Sequence, residues 1–250
     1  MSGGLDSGVA LALLAEAGRP VLGVTMRLWQ VPGEEQSWED SAASAREVCC
    51  RYGARHITVD FRERFSAEVV TPFASEYASA RTPNPCVRCN QRIKFGALLD
   101  AIGEYGCGML ATGHYARIAP SDDGYRLLRG VDSGKDQSYF LYMLTQRQLA
   151  RILFPLGGLR KDQVRALARE RGLAVANRAE SRDVCFLRGQ RRDVLLSSLV
   201  QDALQPGPIV DAAGRRPRRQ RDHVQARCPL HEDRKPSLSI DWVDDRGGMT

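Results

Sequence analysis

The sequence predicts an α/β protein built on a doubly wound parallel sheet, and three observations predict it. Helical and strand-like patterns alternate through the first half of the chain. Short apolar runs such as Pro20–Met26 and Gly108–Thr112 read as buried strands rather than half-exposed ones. A glycine loop, Ser2-Gly3-Gly4-Leu5-Asp6-Ser7, feeds straight into a helical pattern. This order places ligands at the C-terminal ends of the strands.

Leu5, Val9, Ala12 and Leu13 share one helical face, and Gly18 ends that helix. The strand Pro20–Met26 follows, then a helix over Glu39–Tyr52 stopped by Gly53. His56–Phe61 reads as a strand and Arg62–Tyr77 as an amphipathic helix. Residues Arg81 to Arg92 hold two prolines and two cysteines and read as a loop. Ile93–Tyr105 is helical, and Gly108–Thr112 is a short strand ending at Gly113-His114. Tyr115–Ile118 and Tyr125–Leu128 flank Ser121-Asp122-Asp123-Gly124, a hairpin with a bulged or longer turn. Thr145 caps a helix through Ile152, Leu159–Arg171 forms another closed by Gly172, and Arg191–Leu204 is the last.

The 250 residues carry a net charge of +6 and seven cysteines. An odd cysteine count in a chain this long points to thiol chemistry or metal binding rather than a secreted disulfide framework. No apolar run reaches the length of a membrane span, which predicts a soluble cytoplasmic protein without membrane partners. Residues 151–222 hold 16 basic against 8 acidic side chains. That excess suits a polyanion such as RNA, and an Arg-rich solvated surface accounts for it equally well.

At the loop, glycines free the backbone amides, and a helix N-terminus favours an anion. Ser2, Ser7 and the loop amides are placed to wrap a pyrophosphate, with Asp6 as the magnesium ligand. No Gly-Lys-Ser/Thr follows, so this is not a Walker loop. A loop of this kind follows a buried strand, and here only Met1 precedes it, so the first strand is expected to be missing. In Thr82-Pro83-Asn84-Pro85-Cys86-Val87-Arg88-Cys89-Asn90, Arg88 is placed to favour a thiolate. Arg182 and Arg188 flank Cys185 in the same way. Cys49, Cys50 and Cys107 read as small core residues, and His56 as structural. Trp29 and Trp38 flank an acidic linker.

The loop Ser2–Ser7 resembles that of the PP-loop ATP pyrophosphatases, of adenine-nucleotide α-hydrolase-like fold. Five further blocks follow in order: Thr82–Asn90 running into Ile93-Lys94-Phe95; Ala111–Tyr115; Lys135-Asp136-Gln137-Ser138-Tyr139-Phe140; Phe154-Pro155-Leu156-Gly157; and Ser181–Phe186. With them, residues 1 to about 213 resemble the tRNA-specific 2-thiouridylases, which thiolate C2 of the wobble uridine. The resemblance implies ATP contacts at Ser2, Gly3, Gly4, Asp6, Ser7, Met26 and Gly113. It implies target-base contacts at Asn84, Pro85 and Cys86, and tRNA contacts at His114, Lys135, Asp136 and Gln137. Cys89 matches the family's nucleophile and Cys185 its persulfide carrier. The implied substrates and partners are ATP with Mg2+, tRNA, and a sulfur donor such as a cysteine desulfurase or sulfur-relay protein.

In that chemistry the C2 oxygen is adenylated and a Cys185 persulfide attacks C2. Cys89 then frees the thiolated base, leaving a Cys89–Cys185 disulfide that external thiol resets. Many members carry Asp where this chain has Cys86. That departure opens a second reading, in which Cys86, Cys89 and Cys185 hold a [4Fe–4S] cluster with one open iron. Zinc binding or plain packing of Cys86 and Cys89 is a third. Two rival functions stand beside thiolation: another adenylating PP-loop ligase, and a non-catalytic RNA- or metal-binding remnant. The domain reading is a PP-loop catalytic domain over 1–204, the start of a truncated central domain over 205–214, a basic linker over 215–227, and a tail over 228–250. That tail, with Cys228 and His231, resembles half of a primase-type zinc-binding module, which lacks the second ligand pair a zinc site needs. The family's C-terminal β-barrel is expected to be absent.

Overall fold

The computed structural model describes residues 1–29, 35–79, 81–177, 184–187, 192–200, 218–220, 223–226 and 238–241. It divides into two units, Met1–Gln201 and Asp202–Thr250. In the first, helix α1 (Leu5–Glu16) is followed by strand β1 (Leu22–Arg27), helix α2 (Glu35–Arg51) and strand β2 (Arg55–Asp60). β1 and β2 run parallel, in register from Leu22↔Arg55 to Arg27↔Asp60. Alternation along β1 sends Gly23 towards Cys49 of α2 and packs Val24 into the cluster around Phe95 and Leu98. Each face of the pair is therefore covered, as a parallel sheet requires. His56 is bonded to Thr25, with 2.8 Å between Nε2 and Oγ1.

α2 begins four residues before the expected Glu39. Its Cys49 is buried, whereas Cys50, expected in the core, is exposed because adjacent helical residues point apart. The helical run over 62–78 holds α3 (Arg62–Phe65), a π-helical turn (Ser66–Val70) and α4 (Thr71–Ala78). Pro72 has no N–H to return to the preceding turn, and the Glu68 carbonyl four residues earlier accepts Arg88 Nε at 3.1 Å. That bond ties this run to the next.

The expected loop over Arg81–Arg92 is largely helix. α5 (Pro85–Arg88) continues as a π-helical stretch (Cys89–Leu98), α6 (Leu99–Ala101) and a 3-10 turn (Ile102–Tyr105). Proline punctuates the sequence here without breaking the helix, because Pro85 occupies the first helical position, where a missing N–H costs nothing. Asn84 caps it by accepting Val87 N–H at 3.3 Å.

Strand β3 (Leu110–Ala111) leads to the hairpin β4 (Ala116–Ser121) and β5 (Gly124–Arg129). Ser121 pairs directly with Gly124, so the turn is a two-residue Asp122-Asp123 link rather than a longer one. Thr145 does cap a helix through a capping box with Gln148, but α7 (Gln146–Leu149) is a single turn. Ile152 belongs instead to strand β6 (Ile152–Leu153), parallel to β3. Helix α8 (Lys161–Glu170) packs Val164 and Ala168 into the core shared with α1, and α9 (Arg192–Leu199) closes the unit. Among the described residues no helix is long and apolar enough to cross a membrane.

The second unit contains β7 (Arg218–Gln220), β8 (His223–Ala226) and β9 (Leu238–Asp241) in one antiparallel sheet. Residues 218–220 and 223–226, read as a basic linker, are thus strands, the alternation of His223-Val224-Gln225-Ala226 outweighing the surrounding charge. The zinc-like residues Cys228 and His231 and the expected central-domain start at 205–214 lie outside the described residues.

Gly157, in the Phe154–Gly157 block, has a packing role: a Cβ there would overlap the Ala116 carbonyl oxygen. Gly157→Ala is expected to lower the unfolding free energy by about 3 kcal/mol in urea titrations. Gly158→Ala, whose added carbon meets nothing, is expected to change it by less than about 0.5 kcal/mol.

Candidate active site

Two groups of functional side chains are assembled in the first unit. The first surrounds the glycine loop. Gly3 takes a left-handed backbone (φ +69°), which curls the loop so that Ser2 and Ser7 hydroxyls lie 3.1 Å apart. Ser2 N–H donates to Ser7 Oγ at 3.2 Å, and Ser7 Oγ lies 3.1 Å from the Gly4 carbonyl. No side chain caps α1, so its first amides open onto this loop. Gly113 presses against the loop from the end of β3: a Cβ there would lie 2.9 Å from Asp6 Cβ and 3.1 Å from Ser7 N. Any side chain would push the two segments apart. Met26, the other expected nucleotide contact, sits near the C-terminal end of β1, partly buried against the cluster containing Leu98 and Leu110.

Asp6 is bonded within the protein. Lys161 Nζ donates to both of its oxygens at 2.8 Å, and Tyr115 Oη donates to Oδ1 at 2.8 Å. The Lys161 ammonium also lies 5.4 Å from the centre of the Tyr115 ring. Sequence reasoning missed Lys161. A signal existed, because a lysine in the first position of a helix opposes the helix dipole and calls for a compensating anion. Asp132 supports the arrangement by accepting the Lys161 backbone N–H at 2.9 Å.

The second group surrounds Cys86 and Cys89. Burial pushes both thiols above their ordinary value, and Lys94 pulls both back. The cation opposing the burial is therefore Lys94, whereas Arg88, expected in that role, donates to the Glu68 carbonyl. Cys89 is 6% exposed and Cys86 half-buried. Asn90 Nδ2 lies 3.4 Å from the Phe140 carbonyl, which anchors the Ser138–Phe140 turn beside the thiols. Tyr139 on that turn is 59% exposed.

Cys185 is exposed in the turn 184–187. Its neighbour Phe186 is buried edge-on against Phe65 at 5.8 Å, Phe73 at 5.2 Å and Trp29 at 6.5 Å between centroids. Phe65 and Phe73 belong to the same helical run whose Glu68 binds Arg88. Both thiol segments therefore pack on residues 62–78. Arg182 and Arg188, expected to flank Cys185 electrostatically, lie outside the described residues.

Three expected RNA contacts are engaged internally. His114 is buried between Phe95 and Phe154, 2.8 Å from Thr112 Oγ1, and burial and then Lys94 hold it neutral, well below its ordinary value. Burial opposes the charge on Asp136, but hydrogen bonds from Gly130 and Ser138 outweigh it and hold the carboxyl low. Gln137 exchanges bonds with the Tyr115 backbone, donating at 2.9 Å and accepting at 3.1 Å. Lys135, half-buried, begins the segment.

Among the described residues no three His, Cys, Asp or Glu side chains converge as a metal-ligand set.

Two parallel strand pairs, β1–β2 and β3–β6, with a glycine loop that opens onto a helix N-terminus and meets a glycine from the end of β3, fit a nucleotide-binding domain of the HUP class. Residues 1–189 match the family described as the tRNA methyl transferase HUP domain, and the chain belongs to that family. The tRNA-specific 2-thiouridylase MnmA of Roseiflexus castenholzii is 48% identical over 238 residues, which cover 86% of this chain and 64% of that protein. The Thermus thermophilus protein of the same name is 46% identical over 224 residues, covering 85% and 59%. The chain thus spans less than two thirds of the length of these relatives. The U34-tRNA thiolase NcsA from Methanococcus maripaludis, solved with its [4Fe-4S] cluster, superposes at a TM-score of 0.48 with 20% identity, over 81% of this chain and 69% of that one.

From the burial pattern, iodoacetamide is expected to modify Cys185 well before Cys89, read by peptide mass spectrometry. Lys94→Met is expected to move the pH midpoint for Cys89 alkylation upwards, since the cation it removes opposes the rise caused by burial. An unmoved midpoint would remove Lys94 from the thiol site.

Proposed function

We propose that this chain is the catalytic domain of a tRNA 2-thiouridylase, which replaces the C2 oxygen of the wobble uridine by sulfur at the expense of ATP. One observation carries the reading. A nucleotide loop closed by Gly113 and two cysteine segments seated on one helical run occur together in a single unit. The names of the relatives support it.

ATP is the first substrate. The amides at the start of α1, with Ser2 and Ser7, hold its phosphates, and the helix dipole offsets their charge. Magnesium, entering on the phosphates, supplies further charge neutralisation there. The uridine C2 oxygen attacks the α-phosphorus, and pyrophosphate leaves. C2 then carries AMP, a better leaving group than oxide. Exposed Cys185 is accessible to a protein donor, a cysteine desulfurase or sulfur-relay protein, that loads it as a persulfide. The terminal sulfur attacks C2 and expels AMP. The Cys89 thiolate attacks Cys185 Sγ and breaks the sulfur–sulfur bond. That electron pair stays on the base as 2-thiouridine, and a Cys89–Cys185 disulfide remains. Two electrons from an external thiol reduce it. Lys94 favours the thiolate this step needs, in a pocket whose low polarity opposes it. The basic stretch within 151–222 and Lys135 supply cations for the RNA backbone.

The test uses purified chain, tRNA, ATP and a persulfide donor. Cys185→Ser is expected to abolish 2-thiouridine while pyrophosphate release continues; equal loss of both would refute the persulfide role. An adenylating ligase independent of thiols would instead keep its activity in Cys89→Ser. Absence of pyrophosphate release from the wild type would favour a non-catalytic RNA-binding protein. Anaerobically purified protein is expected to hold iron far below one atom per chain. About four irons with matching sulfide would transfer the chemistry to a cluster.

A further inference from the structure

The clamp on Asp6 bears on how the loop handles phosphate. The Lys161 side chain is only 11% exposed, and it stands at the first position of α8, where the helix dipole opposes its charge. Both Asp6 oxygens at 2.8 Å and the Tyr115 ring at 5.4 Å hold the ammonium, and Asp132 holds the backbone N–H at 2.9 Å. Asp6 itself lies in the first turn of α1, the helix whose N-terminus opens onto the glycine loop. The same carboxylate is ill suited to a second cation. A magnesium ion binds oxygen at about 2.0–2.1 Å in strict octahedral geometry. On Asp6 it would share an oxygen with an ammonium 2.8 Å away, and on Oδ1 with the Tyr115 hydroxyl as well.

We infer that Lys161 is the resident cation of the phosphate site, and that Asp6 acts as a positioning residue that holds this ammonium beside the loop rather than as the magnesium ligand. The inference rests on the ATP-binding reading above and deepens it. The ligand class is a polyphosphate, ATP or the pyrophosphate it releases. Magnesium is then held by phosphate oxygens and water, its common mode of binding. When the polyphosphate arrives, Lys161 turns part of its charge from the carboxylate to the phosphates, so the site is electrostatically balanced both empty and filled.

The test is calorimetric titration of the full chain with ATP and with inorganic pyrophosphate, in EDTA and in Mg2+, alongside Mn2+ binding with ATP followed by electron paramagnetic resonance. Lys161→Met is expected to weaken both ligands about tenfold or more, with and without metal, as for a lost charge-assisted bond. Lys161→Arg is expected to recover part of that loss. Asp6→Asn is expected to weaken metal-free pyrophosphate binding comparably, to leave Mn2+ uptake with saturating ATP unchanged, and to add nothing to Lys161→Met. In the unsubstituted protein, pyrophosphate is expected to slow acetylation of Lys161 by acetic anhydride about tenfold, a readout that does not depend on any variant folding. Unaltered pyrophosphate affinity in a folded Lys161→Met, or absence of protection, would overturn the role of Lys161. Loss of Mn2+ in Asp6→Asn with metal-free pyrophosphate binding intact would return Asp6 to the metal. A wild-type chain that binds neither ligand would instead overturn the nucleotide site itself.

Discussion

The carboxylate of Asp6 joins residues far apart in the chain. It accepts from Tyr115, 109 residues away, and from Lys161, 155 residues away. Through Tyr115 it fixes the segment after β3, including Gly113, against the loop. Through Lys161 it fixes the start of α8, which packs on α1 in the same core. The glycine loop is braced within itself by the Ser2 and Ser7 bonds and from outside by these neighbours. Gly113 approaches the loop closely because it has no side chain. Gln137 extends that support outwards by bonding the chain between β5 and α7 to the Tyr115 backbone, and Asp136 braces the same segment internally through Gly130 and Ser138.

The thiols show the opposite economy of charge. Cys89 is nearly dry and its proton is correspondingly hard to remove, whereas Cys185 stands in water. In the proposed cycle this division suits their roles. The carrier must meet another protein, and the resolving thiol is better kept from stray oxidants until its partner arrives. Lys94 opposes the effect of burial on Cys86 and Cys89 and adds to it on His114, so one cation acts on all three groups.

Much of this was legible in the sequence. The alternation of α1, β1, α2 and β2, the glycine stops at Gly18, Gly53 and Gly172, and the loop leading into α1 all follow from local periodicity and backbone preference. What escaped depended on contacts made far away. β6 is only two residues long and exists because β3 lies beside it. The helix from Pro85 was hidden behind its own prolines, whose rigidity suits a first turn as well as a loop. Arg88 looked like a thiol activator from its spacing, yet Pro72 and the Glu68 carbonyl drew it elsewhere. The packing of His114 between Phe95 and Phe154 rests on partners that no local pattern announces. Lys161 belonged to no block that resemblance picked out.

The π-helical stretch from Cys89 to Leu98 has a bearing on how related chains are aligned. Each of its hydrogen-bonded turns closes over one more residue than an α-helical turn does. In an α-helix the loss of one residue turns everything before it by about 100° relative to everything after it. A wide turn that loses one residue instead closes as an α-helical turn, so the flanking faces keep their directions. Cys86 and Cys89 would stay on the side facing Lys94, although an alignment would record a gap in the helix that carries them. In this segment the residue count can change by one without turning the thiols away, and a one-position gap there is no sign of a different geometry.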